Sequence, residues 1–415
     1  MVYVTQDAYM NIYATEKSQQ YLAKVTSFIN DKILPIEAEL FIENRRLNHN
    51  SDWTQWQLLP QIEALKTQAK AEGLWNLFLP DAELAKGLTC VEYAPLAEEM
   101  GRSLLAPEIF NCNAPDTGNI EVLYHFGDKQ QQQQWLTPLL AGEIRSVFAM
   151  TEPDVASSDA TNMQATIIED GDDVVINGRK WWSTGLGHPN CKVMIFMGLS
   201  HNDAPKHQRH SMVLVPMDAP GVSITRMLTA YGDYDAPYGH GEMELVNVRV
   251  PKSNVIMGLG KGFEIAQGRL GPGRIHHCMR AIGAAERALS LAIERGQSRV
   301  AFGQPIIKLG GNLERIAQAR MAIEQARLLT LNAAWKIDNL GVKHAMTDIS
   351  AIKVVVPNML TQVVDMAIQM YGGAGMNHDT PLAGFATMAR SLRLADGPDE
   401  VHMAMVSRLE LAKYK

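Results

Sequence analysis

Cysteine is scarce in this chain and never clustered. Its four cysteines, Cys90, Cys112, Cys191 and Cys278, show no CxxC spacing, which argues against a zinc ribbon or a disulfide framework and suits a reducing compartment. No eighteen consecutive apolar residues occur, so no membrane span is expected. The first twenty residues contain Asp7 and Glu16 and no long apolar run. They resemble neither a signal peptide nor an Arg-rich transit peptide, and the expected location is the cytoplasm. A basic excess is also missing. With 38 Lys and Arg against 45 Asp and Glu, the net charge is -7, and nucleic acid is not an expected partner because phosphate binding needs a concentrated basic surface. There is no internal repeat and no βαβ unit, which argues against a doubly wound nucleotide fold. His276 and His277 have no carboxylate cluster at ligand spacing, so they read as packing or surface residues and no metal site is expected.

What is present is enough apolar material for two or three domains: 415 residues, 46% of them hydrophobic. The expected fold is α+β and multidomain, with an N-terminal helical domain at 1–145, a middle β domain at 146–254 and a C-terminal four-helix bundle at 255–415. In the first part, Tyr21, Val25, Phe28 and Ile29 form an apolar stripe before Pro35. Further helices are expected near 53–71, 91–100, 116–124 and 129–140. The five glutamines from Gln130 to Gln134 read as a solvated helix face. In the middle part, short runs at 174–176, 192–197, 212–215 and 243–248 are separated by Gly, Pro, Asn and Asp, as strands are. After Gly258 the spacing is helical again, in four long segments. The third is the clearest, with Ile352, Val355, Val356, Met359, Val363, Met366, Ala367 and Met370 on one face.

Two stretches suggest chemistry. Phe148-Ala-Met-Thr-Glu-Pro-Asp-Val-Ala-Ser-Ser-Asp159 joins the helical region to the strand-rich one and is dense in turn formers. Taken alone it also reads as a plain junction loop. Some 20 residues on, Asn177-Gly-Arg-Lys-Trp-Trp-Ser-Thr-Gly185 offers aromatic faces beside hydroxyls, which suits a flat heteroaromatic ring, although taken alone Trp181 and Trp182 are more often core residues of a strand.

Together these stretches resemble the T-E-P loop and W-x-T strand of the acyl-CoA dehydrogenase superfamily, and the order of helix, β and helix is similar over nearly the whole chain. The resemblance implies FAD as cofactor. Phe148, Met150 and Thr151 would then serve one edge of the flavin, and Trp182, Ser183 and Thr184 the other. Ser157 and Ser158 fall where pyrophosphate and substrate contacts are expected, with the two roles undivided between them. Arg299 and Phe302, in Arg299-Val-Ala-Phe-Gly303, resemble the segment that reaches the flavin pyrophosphate of a neighbouring subunit, although the family's usual Gln is replaced by Gly310, Gly311 and Asn312. Gln369, Gly372 and Gly373 resemble the Q-x-x-G-G-x-G segment that meets the adenosine half of the same flavin. A homodimer or homotetramer is implied.

Leu394-Ala-Asp-Gly-Pro-Asp-Glu-Val401 matches the family stretch that carries the catalytic base, which makes Asp396 the base where Glu is common. Pro398 and Glu400 fall on cofactor positions and Gly397 on a substrate position. Some relatives place the base on an earlier helix. The matching residue is Gly273, with Gly271 and Arg274 beside it as substrate-facing positions, and glycine cannot take a proton. The implied reaction is α,β-dehydrogenation of an acyl-CoA thioester, with electrons passing to an electron-transfer flavoprotein. The sequence is similar to the subgroup that in animals can be fused to a kinase-like domain and acts on longer, branched or hydroxylated acyl groups. A nitroalkane oxidase, a relative with an Asp base, is the alternative.

Overall fold

The computed structural model describes residues 15–414, apart from the side chains of residues 270–272. The N-terminal stretch forms α1 (Glu16–Phe28), α2 (Glu37–Asn48), α3 (Pro60–Ala71), α4 (Cys90–Gly101), α5 (Ala106–Ile109), α6 (Asp116–Phe126), α7 (Lys129–Gln131) and α8 (Thr137–Ala141). The stripe expected on α1 is buried at Val25, Phe28 and Ile29. Thr89 begins α4 with a capping box, its side chain accepting from the Glu92 N–H while Glu92 reaches back.

Two expectations in this region need correction. The helix expected over 53–71 begins only at Pro60; Trp53–Gln55 is a separate 3-10 turn, because Pro60 disfavours helix at the residue before it. The glutamine run is not a uniformly solvated face. Gln131 is buried and its amide donates to Ser253 O at 2.8 Å, while Gln132 donates to Leu123 O and Tyr124 O at 3.1 Å.

The middle of the chain is a seven-stranded sheet: β1 (Arg145–Ala149), β2 (Thr166–Asp170), β3 (Asp173–Thr184), β4 (Cys191–Leu199), β5 (His210–Pro216), β6 (Val222–Leu228) and β7 (His240–Pro251). The order is β1-β4-β2-β3-β7-β6, with β5 beside β4. β1 runs parallel to β4, whereas β3 pairs antiparallel with β7 from Asp173↔Pro251 to Thr184↔His240. One face of the sheet packs Val147, Ala149, Ile167, Met194, Phe196, Val213 and Met243 around Trp56.

The C-terminal region holds α9 (Gly262–Ser298), a small hairpin β8 (Val300–Ala301) and β9 (Gln304–Pro305), α10 (Asn312–Leu340), α11 (Val342–Tyr371), α12 (Leu382–Leu392) and α13 (Asp399–Leu411). The expected fourth long segment is thus two helices, parted at 393–398 where Asp396 and Gly397 take positive φ. Among the described residues one helical run, Val342–Met376, is long and apolar enough to cross a membrane, and half of its most apolar stretch is buried inside the protein.

Packing divides the chain into two compact units. The described part of one comprises residues 15–38, Pro80–Pro107 and residues 271–414; the other comprises Glu39–Leu79 and Glu108–Leu270. In the first unit α4 crosses α9 at glycines. A Cβ on Gly101 would lie 2.0 Å from Arg280 O, and one on Gly283 would lie 1.8 Å from Glu98 O, so only bare backbone fits there. In the second unit the sheet and α6 are tied by a buried ionic cluster. Arg145 bonds Asp116 and Glu108 at 3.1 Å each, and Lys66 also pairs with Glu108.

Candidate active site

In the sheet-bearing unit the loop after β1 is shaped by one buried ion pair. Lys180, fully buried on β3, donates to Glu152 Oε1 at 2.8 Å, Met150 O at 2.8 Å and Met197 O at 2.7 Å. Burial pushes its ammonium down to about 8, against the pull of Glu152. Glu152 also accepts from the backbone N–H groups of Gln164 and Ala165 at 2.8 and 3.1 Å. With Glu152 turned inward, its neighbour Thr151 is exposed. The Ser157 hydroxyl accepts from the Glu152 N–H at 2.9 Å and so closes the loop on itself, whereas Ser158 is exposed.

On β3 the register against β7 slips between Lys180 and Ser183. Such bulges re-aim side chains. Trp182 sits at the slip with φ 51°, and the residue is 44% exposed. Ser183 Oγ is buried without a hydrogen-bond partner among the described residues. Thr184 Oγ1 lies 3.0 Å from His240 Nδ1, and the His240 ring stands 5.6 Å from that of Trp182. Sequence reasoning missed His240; strand pairing brings it opposite Thr184, and no local motif marks it. Phe148 is half-buried, with the Arg269 guanidinium 4.0 Å from its ring centroid. Arg269 also donates to Asn119 Oδ1 at 3.3 Å. Nearby on α6, Glu121 is buried, its Oε2 without a partner among the described residues, and burial pushes its carboxyl up to about 8.

In the helical unit Asp396 lies in the turn between α12 and α13, with φ 55° and its side chain 24% exposed. Three helices hold this turn. Arg274 on α9 donates to Asp396 O at 3.1 Å, and His402 Nε2 on α13 lies 3.1 Å from the same oxygen. Lys353 on α11 donates to Leu392 O at 2.5 Å and Ala395 O at 2.8 Å. Burial first, and then the neighbouring Arg274, push His402 down to about 4, so it is neutral near pH 7. Arg393 bonds Asp399 at 2.7 Å and braces the start of α13 behind Pro398, while Glu400 is exposed in its first turn. A Cβ at Gly397 would lie 2.9 Å from His402 Nε2.

The reading of the histidine pair holds for one member only. His276 is buried edge-on to Tyr93 at 4.8 Å, as packing, but His277 Nε2 lies 3.5 Å from Asp396 Oδ2. Gly273 has open space where a side chain would grow, with nothing described within 4 Å. Gly271 lies outside the described side chains.

The remaining candidates stand on the surface of the helical unit. Phe302, in the β8–β9 turn, is 95% exposed with φ 50°. Arg299, Gln369, Gly372 and Gly373 are exposed too. Gln369 lines a groove of about 470 Å³ between α10 and α11, with Arg315, Gln318, Gln362 and Asp365.

Sequence models of the acyl-CoA dehydrogenase N-terminal, middle and C-terminal domains match residues 15–143, 147–248 and 260–410. The chain belongs to the acyl-CoA dehydrogenase family. FadE2 of Mycobacterium tuberculosis, assigned as an acyl-CoA dehydrogenase, is 51% identical over 98% of both chains. Acyl-CoA dehydrogenase family member 10 of Mus musculus is 54% identical over 94% of this chain and 36% of its own length. Member 11 of Gallus gallus is 52% identical over 96% of this chain and 51% of its own. The chain therefore spans about a third to a half of these animal relatives. A solved structure assigned as an acyl-CoA dehydrogenase, from Mycobacterium abscessus, superposes with a TM-score of 0.95 at 57% identity, covering 97% of this chain and all of the other. Butyryl-CoA dehydrogenase from Megasphaera elsdenii shares the fold at a TM-score of 0.79 and 24% identity, over 97% of this chain and 100% of its own. The three-domain fold follows from this membership.

Proposed function

We propose that this protein is an FAD-dependent acyl-CoA dehydrogenase that converts an acyl-CoA thioester to the 2-enoyl-CoA, with Asp396 as the base. The observation that carries the reading is the turn at 393–398. A carboxylate on a left-handed turn residue, its backbone carbonyl facing donors from two helices, is placed to a fixed position rather than left to a mobile loop. The neighbouring cations Arg274 and Lys353 favour its ionised form, which is the form that takes a proton.

The residues of the sheet-bearing unit fit a flavin. Trp182 offers an exposed aromatic face, Ser183 an orphaned buried hydroxyl, Thr184 a second hydroxyl steadied by His240, and Thr151 an exposed hydroxyl on a loop pinned by Lys180 and Glu152. When bound, FAD supplies the acceptor for the hydride leaving the β-carbon. Asp396 takes the α-proton, and its own backbone N–H would donate to the thioester carbonyl as negative charge develops on it. Trp182 and Phe148 exclude water from the ring. We further read the exposed Arg299, Phe302, Gln369, Gly372 and Gly373 as a surface that meets the flavin of a second copy, making the protein a homodimer or homotetramer. The proposed electron acceptor is an electron-transfer flavoprotein, and the proposed location is cytoplasmic. The acyl-CoA dehydrogenase names of the relatives speak against the nitroalkane oxidase alternative.

Anaerobic titration of the yellow protein with short, long, branched and 4-hydroxy acyl-CoAs tests this. Bleaching of the flavin by one class supports the reading and names the substrate. Reduction by nitroethane, with no response to any thioester, moves the protein to the oxidase class.

A further inference from the structure

Within the helical unit a line of contacts runs from a guanidinium through an imidazole to the carboxylate. Arg280 Nη2 lies 3.1 Å from His277 Nδ1, and His277 Nε2 lies 3.5 Å from Asp396 Oδ2. Arg280 and His277 are three residues apart on α9, the spacing that puts side chains on one helix face. A guanidinium has donors only and keeps its proton throughout the working pH range. Its contact with Nδ1 is therefore a hydrogen bond only while Nδ1 is an acceptor. That condition leaves the ring proton of His277 on Nε2, the nitrogen that faces Asp396.

We infer that His277 is a positioning residue for the proton-abstracting carboxylate. Arg280 fixes its tautomer, and its Nε2–H engages Oδ2 of Asp396. This inference rests on Asp396 being the base.

Other described contacts hold the backbone of the turn. From α9, Arg274 holds the Asp396 carbonyl; Cys278, whose thiol burial pushes up to about 12, adds no charge. From α11, Lys353 holds the carbonyls of Leu392 and Ala395. From α13, His402 holds the Asp396 carbonyl a second time. These contacts fix the backbone, whereas His277 reaches a carboxylate oxygen. The 3.5 Å separation is open for a hydrogen bond, and catalytic contacts of this kind tighten when substrate binds. An aspartate is one methylene shorter than the glutamate common in this family. Pinning one oxygen holds the other in a single direction, which offsets the freedom that a mismatched reach introduces.

His277 in this tautomer does not accept the abstracted proton, because Nε2 already carries one. Its loss accordingly affects turnover and the ionisation of Asp396 more than substrate affinity. His277→Ala is expected to lower kcat by about 10-fold to 100-fold with KM changed little, and to move the acid limb of the kcat profile upward by about one pH unit. His277→Gln, whose amide N–H reaches to about the same place as Nε2, is expected to restore most of both. Arg280→Met should slow the wild-type background but add little in the His277→Gln background, because the amide needs no tautomer fixed.

Neutron diffraction from crystals of the holoenzyme reads the tautomer without reference to activity. A deuteron on Nε2 of His277 and none on Nδ1 is the expected result; a deuteron on Nδ1 overturns the inference. If Asp396→Asn turns over as fast as wild type, the base assignment fails whatever the tautomer. If Asp396→Asn is inactive while His277→Ala keeps the wild-type kcat and pH profile, the positioning role fails alone.

Discussion

His402 Nε2 stands 3.1 Å from the backbone carbonyl of Asp396, and its ring sits where any side chain at Gly397 would be. A carbonyl oxygen can only accept, so an Nε2 at this distance must carry the ring proton. His402→Gln preserves a donor and should retain most activity, while His402→Ala should lower kcat about tenfold through a loosened turn. Acid also acts here. Folding depresses the His402 pKa from its ordinary 6.5 to about 4. The unfolded chain then takes a proton between those values that the folded one refuses. The contribution to stability is full above pH 6.5 and is lost as pH falls toward 4. Denaturant unfolding between pH 4 and 7 should show a shallower acid loss in His402→Gln than in wild type.

Glu121 behaves in the opposite sense. Burial raises its pKa from 4.5 to about 8, so the folded protein holds a proton that the unfolded chain has released. This contribution is full below pH 4.5 and is lost as pH rises through 8. Every tenfold gain in proton affinity on folding is worth about 1.4 kcal/mol. Glu121→Gln stays neutral throughout and should flatten the fall in stability between pH 5 and 8. An unchanged slope in pH-dependent melts would mean that Glu121 is ionised in the folded state.

Lys180 and Glu152 should depend on each other. Lys180→Met leaves a buried carboxylate unpaired, at a cost of about 3–5 kcal/mol. It should also release the loop that carries Thr151 and lower flavin retention after gel filtration. Adding Glu152→Gln to Lys180→Met should recover part of the stability, since the unpaired charge is then gone.

Two glycines of α9 predict opposite outcomes for the same substitution. Gly283→Ala drives a methyl into Glu98 O, 1.8 Å away, and should destabilise by about 2 kcal/mol as α4 and α9 separate. Gly273→Ala meets nothing described within 4 Å and should gain up to about 1 kcal/mol from helix propensity. Thermal melts of the two variants, run side by side, decide both.

Much of this architecture was legible because its signals are local. The apolar stripe on α11 fixes its type by period, short apolar runs bounded by Gly, Pro, Asn and Asp mark β3, β4, β5 and β7, and the turn at Asp396 stood out through its Gly and Pro neighbours. Where α12 ends was not legible, since nothing at 393–395 forbids helix; Lys353, distant in sequence, captures the carbonyls of Leu392 and Ala395. His240, His277 and His402 escaped for a related reason. Each acts through strand pairing or helix packing, and a lone histidine in a sequence carries no sign of the carbonyl, hydroxyl or carboxylate it will face. Gln131 shows the converse: a run of glutamines reads as solvated until one of them finds the carbonyl of Ser253.

The most direct test of the account is rapid-mixing reduction of Asp396→Asn by the acyl-CoA that bleaches wild type, with flavin occupancy matched beforehand by absorbance. Removing a general base predicts a fall of roughly a thousandfold in the rate of flavin bleaching, with thioester binding retained. Bleaching within tenfold of wild type would place the base elsewhere in the chain and contradict the central claim.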